Sequence, residues 1–147
     1  MSIFLDDINN WLVAQSLVGG STGWAVSEGF LPPEPDQVVA LFETPGEAPD
    51  IVRDPNIGEE PAMAVGLQVR LRGSTNAYAP LRAQAQKIFN GLHQNEPVIP
   101  GGNKYIYVYS KTAGPLPMGK DSNNRDELVL NFSVLMTYEP GFDIPAP

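Results

Sequence analysis

From Met63 to Arg72 apolar and polar residues alternate. Leu67, Val69 and Leu71 share one face, and Gln68, Arg70 and Arg72 the other, which is the period of a half-buried strand. After Gly73-Ser74-Thr75-Asn76 the period lengthens, and Tyr78, Leu81, Ala85, Ile88, Phe89 and Leu92 fall on one side of a helix. Pro80 lacks an N–H and crowds the preceding turn, so this helix is predicted from about Ala79, with Pro80 at its first position.

The flanking segments extend the pattern. Phe4, Leu5, Ile8, Trp11 and Leu12 form a stripe that predicts a helix over residues 2–17, with Ser2 as its cap, Asp6 and Asp7 near its positive end, and the run Gly19–Gly23 as its stop. Trp24–Glu34 reads as a connector ended by prolines, and Gln37–Glu43 as a short strand. Residues 44–62 read as a 19-residue loop with four prolines, two glycines, five acids and the single Arg53, a length that usually marks a functional or mobile segment. In the last third, Lys104–Ser110 sets Tyr105, Tyr107 and Tyr109 against Ile106 and Val108. Glu127–Tyr138 sets Leu128, Leu130, Phe132, Val134 and Met136 against Val129, Asn131, Ser133, Leu135 and Thr137. These two strands form a long hairpin around residues 111–126. The expected order is α-β-β-α-β-β: an α+β domain over 1–138, a four-stranded, mainly antiparallel sheet carrying two helices, then a proline-rich extension over 139–147.

Composition narrows the function. A chain of 147 residues buries roughly 70% of its unfolded surface without staples. Nine basic against 17 acidic residues give a net charge of -8, which opposes tight binding to nucleic acid or to an anionic membrane. No apolar run approaches the ~18 residues of a membrane span, and the acidic start Met1–Asp7 is unlike a secretion signal. There is no cysteine, so disulfides, thiolate nucleophiles and cysteine metal sites are excluded, as suits a reducing cytoplasm.

Candidate chemistry is sparse. His93 is the single histidine, which rules out a multi-histidine metal site and leaves one possible imidazole base. Its place near a helix end favours a structural role. The pairs Asp6-Asp7 and Glu59-Glu60 read as solvated surface, because adjacent side chains point apart. Gly19–Gly23 lacks the lysine and the strand–helix setting of a phosphate loop. The segment Gly119–Arg125, with Lys120 and Arg125, reads as a projecting contact loop or a hairpin tip. Arg70 and Arg72 share a strand face and are either solvated or placed to meet acids such as those of the 44–62 loop on a neighbouring copy. The expected protein-interface residues are therefore Arg70, Arg72, Asp50, Glu59, Glu60, Met118, Lys120 and Arg125, with no catalytic, cofactor or metal residue.

Several of these segments resemble one family. Val39–Gly46, the acidic proline-rich stretch after it, Leu67–Gly73, the helix Tyr78–Leu92, the turn Pro115–Asp121 and the strand Leu128–Val134 are together similar to the bacteriophage minor capsid and tail-terminator group, proteins of the head–tail junction in long-tailed phages. The likeness runs from about residue 1 to 138; Pro80 and the proline-rich tail depart from it. It implies a subunit of a six-membered ring on the completed tail tube, which stops tube polymerisation and offers a docking surface to the filled head. The implied partners are further copies of this chain, the tail tube protein and a head-completion or connector protein. DNA would pass through without specific binding, and no membrane or cofactor is involved. The expected location is the virion tail or neck, with the host cytoplasm during assembly. An acidic channel repels duplex DNA, and the 44–62 segment is one candidate for such a lining.

Two other readings stay open on the residues alone. One is a different neck or head-completion protein, or a monomeric protein-binding module anchored by Trp24, Phe30 and the tyrosines of 105–109. The other is an enzyme working through carboxylates or through His93 with one acid.

Overall fold

The change of period at Gly73 is the junction between the third strand and the second helix. The computed structural model describes residues 4–54, 58–98 and 104–137, with the backbone alone over 47–54 and 58–62. The elements are α1 (Phe4–Ala14), a 3-10 turn (Gly20–Thr22), β1 (Ala25–Glu28), β2 (Val38–Asp54), β3 (Gly58–Thr75), α2 (Tyr78–Leu92), β4 (Tyr105–Ser110), β5 (Leu116–Lys120) and β6 (Arg125–Thr137). Ser2, the expected cap of α1, lies outside the described residues, as does the extension 139–147.

α1 ends at Ala14, earlier than the residue 17 expected for it. Ser16 adopts a left-handed conformation (φ 58°). Its N–H donates to Val13 O, and the N–H of Leu17 donates to Leu12 O, the paired bonds that satisfy the last carbonyls of a helix. α2 begins at Tyr78, so Pro80 occupies its third position, where a missing N–H still costs no helical bond. Leu81, Gln84, Ala85, Ile88 and Leu92 face inward, while Tyr78 stays exposed and Phe89 is half-buried. The buried Gln84 amide donates to Leu17 O, which satisfies that amide and ties α2 to the end of α1.

The sheet has six strands rather than the expected four, in the order β1-β2-β3-β6-β4, with β5 also on β6. β1 runs parallel to β2, and the remaining pairs are antiparallel. β3 flanks β6 from Ala62–Thr137 to Thr75–Arg125. On the opposite side of β6, β4 pairs with residues 132–136 and β5 with residues 126–129.

Residues 44–62 are not a loop. They are the outer part of the β2–β3 hairpin, which stays paired out to Asp54–Gly58. Two register shifts, Thr44/Glu47 and Glu47/Asp50, bracket Pro45 and Pro49, so each proline falls where the strand is irregular and its missing N–H breaks no regular ladder. Gly46 and Gly66 serve the first shift. A Cβ on Gly46 would collide with Ala64 O, and one on Gly66 with the Thr44 side chain.

β4 contains a bulge as well. Tyr105 pairs with Met136 and Tyr107 with Leu135, so one residue of β4 has no opposite number and the alternation changes phase. Tyr105 and Val108 therefore point inward, while Tyr107 and Tyr109 are exposed. This corrects the simple three-tyrosine face expected for this strand. β6 follows its pattern: Leu128, Leu130, Phe132, Val134 and Met136 join the core under both helices, with Ile8, Trp11, Leu12, Leu67, Val69, Leu71, Leu81 and Ile88. Trp24 belongs to this core too and is not an exposed anchor.

Candidate assembly surface

Two of the expected interface arginines turn inward. Arg72 is 3% exposed and Arg125 6%, at the end of the sheet where β3 meets β6. The Arg72 guanidinium donates to Pro35 O (2.7 Å) and Asp36 O (3.2 Å). Arg125 donates from Nη1 to Pro33 O (2.8 Å) and Asp36 Oδ1 (3.1 Å), and from Nε to Asp121 Oδ2 (2.8 Å). The two forks thus clasp the proline-rich connector 33–36 against the sheet, giving carbonyls that no strand partner serves a strong donor. Both guanidinium groups are engaged within their own chain.

Asp121 holds the other side of the clasp. Its Oδ1 accepts the N–H groups of Arg125 and Asn123, each at 2.9 Å. The Arg125 N–H first, then that of Asn123 and the Arg125 guanidinium, hold its carboxyl below the usual aspartate value. Asp36 and Asp121 were not legible as functional residues from the sequence. The spacing Asp121-x-x-x-Arg125 around a Ser-Asn-Asn turn was the one available signal.

The remaining candidates divide. Arg70 is half-exposed, 3.5 Å from Glu127 Oε1 and 5.8 Å above the Phe42 ring, a weak exposed-type pair. Met118 and Lys120 lie on β5, every residue of which is exposed; Lys120 Nζ is 3.0 Å from Asp126 Oδ2. Asp50, Glu59 and Glu60 lie on the outer hairpin by their backbone pairing, and their side chains lie outside the described residues.

His93 caps the end of α2. Its Nδ1 accepts the Ser110 N–H at 2.9 Å and its ring stacks on Phe89 at 5.2 Å, so the imidazole joins α2 to β4. Asp7 is buried beside Tyr105. Near Asp6, burial pushes the Glu28 carboxyl above its usual value, and Asp6 adds to this against the opposing hydrogen bond from Asn9. Among the described residues no group of three or more His, Asp or Glu side chains is placed to hold a metal ion, and no helix is long and apolar enough to cross a membrane.

What the surface offers is strand margin and exposed apolar side chains. Leu116 and Met118 stand out on β5, Tyr107 and Tyr109 on β4 with ring centroids 6.1 Å apart, and Phe30 after β1. Open strand margins and exposed apolar side chains of this kind are features of surfaces that meet other proteins. The same fold occurs in a chain from the virion of a native gene transfer agent particle, with a TM-score of 0.64 and 15% identity over 92% of this chain and 95% of that one. A family model described as bacteriophage tail terminator protein matches residues 8–138, and the chain belongs to that family. It is a structural protein of the virion tail and neck. No curated protein sequence matches it.

Proposed function

We propose that this chain is a tail terminator that assembles into a closed ring, six-membered as the family resemblance implies. The ring caps the completed tail tube, stops its polymerisation and presents a docking surface to the filled head. The match to the family over residues 8–138 carries this reading. Its partners are further copies of the chain, the tail tube protein and a head-completion or connector protein. DNA passes through the ring without specific binding, helped by the net charge of -8, because like charge keeps the duplex from adhering. On this reading the protein performs no catalysis and carries no cofactor.

Disruption of the gene in its phage tests the role. Overlong tails without heads are the expected result. Tails of normal length beside unattached filled heads would assign the chain to head completion instead.

A further inference from the structure

The outer β2–β3 hairpin is a two-stranded ribbon. β1 leaves β2 after Leu41, and the last described pair of β3 with β6 is Ala62–Thr137. The stretch from Ile51–Pro61 out to Asp54–Gly58 thus has no third strand among the described residues. Such a ribbon is marginal in water by itself and needs a surface to lie on. Its sequence is strongly charged: residues 44–62 hold five acids and the single Arg53.

The complementary feature lies at the diagonally opposite corner of the sheet. The ribbon leaves the body at the C-terminal end of β6, beyond β2 and β3. β5 pairs with the N-terminal end of β6, on its other side. At about 3.3 Å per residue the two places are roughly 30 Å apart along β6. Residues 111–120 hold two lysines and no acid in a chain of net charge -8. Lys111 and Lys120 are exposed, and Leu116 and Met118 between them are 40% and 58% exposed. An acidic ribbon at one corner and a basic, apolar strip at the other are two different patches on one molecule.

We propose that the β2–β3 ribbon of one copy docks on the 111–120 strip of a second copy of this chain, and that this contact joins neighbouring subunits. The inference rests on the ring reading above and names the contact that builds the ring. Because the patches differ and sit at opposite corners, the contact is head-to-tail, the kind that closes into a ring when its rotation permits. Lys111 steers the ribbon in, Lys120 exchanges its exposed pair with Asp126 (3.0 Å) for an acid of the ribbon, and Leu116 and Met118 supply the buried apolar centre.

The absence of cysteine makes the test direct. Glu59→Cys and Lys120→Cys are placed together in one full-length chain, and each is also made alone. The assembled protein is treated with a short bis-maleimide, with tail tubes present if the free chain is monomeric. The double variant is expected to give a series of covalent multimers, each single variant only monomer, and a mixture of the two singles a dimer. Dimers from Glu59→Cys alone would mean ribbon-to-ribbon contact and would overturn the proposal. So would an assembled ring whose double variant yields monomers, or links only to the tube protein; the ring reading would survive both results. A chain that stays monomeric even beside tail tubes would overturn both. Independently, Lys111→Glu with Lys120→Glu is expected to raise the concentration for half-assembly roughly tenfold or more. Adding Glu59→Lys and Glu60→Lys should recover much of that loss. Failure of the four-fold variant to recover any of it, with each variant folded by circular dichroism, would count against the contact.

Discussion

The hydroxyl of Tyr105 donates to a carboxylate oxygen of Asp7 at 2.6 Å, joining residues 98 positions apart in the chain. Both residues are buried. The bond fastens the first turn of α1 to the start of β4, the strand whose bulge turns Tyr105 inward. Tyr105→Phe keeps the ring and removes this bond. A hydrogen bond to a charged group contributes roughly 1.5–3 kcal/mol, and a loss of that size is expected as a lower urea midpoint with an unchanged slope.

The clasp predicts a difference between two cations. Arg125 serves Pro33 O, Asp36 and Asp121 from a single planar fork, a geometry that an ammonium cannot reproduce. Arg125→Lys is therefore expected to behave much like Arg125→Ala, with amide hydrogen exchange accelerated over residues 33–36 and 121–125. Full protection of those amides in the lysine variant would mean that charge alone holds the connector.

Two carboxyls give pH effects of opposite sign. Asp121 is held below its unfolded value, roughly 3.9. Its contribution is present above that value and is lost as pH falls through the lower folded value. Asp121→Asn should thus flatten the acid limb of the stability profile. Glu28 is raised, so the folded state takes up a proton there, and stability falls as pH rises from roughly 4.3 through the higher folded value. Glu28→Gln is expected to raise the thermal midpoint at pH 7 and to change it little at pH 3. Thermal melts of both variants from pH 2.5 to 7 check the two signs together.

His93 supplies an acceptor to Ser110 N–H and a stacking face to Phe89. His93→Ala is expected to destabilise the fold by about 1 kcal/mol and to leave plaque formation by the phage intact. Loss of viability with an unchanged melting temperature would point to a role for the imidazole beyond packing.

Much of the helix-bearing half of the sheet was legible in the sequence, and the reason is burial. β3 from Leu67 to Leu71 and β6 from Leu128 to Met136 keep one face against α1 and α2, so the core requirement is written at every second residue. α2 is written in the same way, apart from Gln84, a polar residue buried because its amide finds Leu17 O. β1 and β5 left no such mark. β1 is four half-buried residues, and β5 is exposed throughout, so neither needs an apolar alternation.

The outer hairpin was hidden by its prolines, which usually signal a loop, although Pro45 and Pro49 here coincide with shifts in register. Of the candidate surface, the exposure of Met118 and Lys120 was legible, since both lie on the exposed strand β5. Arg72 and Arg125, however, were chosen for charge, and charge does not say whether a guanidinium faces solvent or a row of carbonyls in its own chain.

β3 runs unbroken from Gly58 in the ribbon to Thr75 beside the clasp, and its bonds to β6 lie across its axis, as in any antiparallel pair. A pull along the ribbon therefore loads those bonds in shear, together, rather than peeling them apart one at a time. Tension on Gly58 reaches the Arg72 fork some 14 residues away along the same strand, and the Arg125 fork on β6 through the pairing of Thr75 with Arg125. The sheet is in this sense a tie-rod, stiff along the one direction in which a linked neighbour would tug on it.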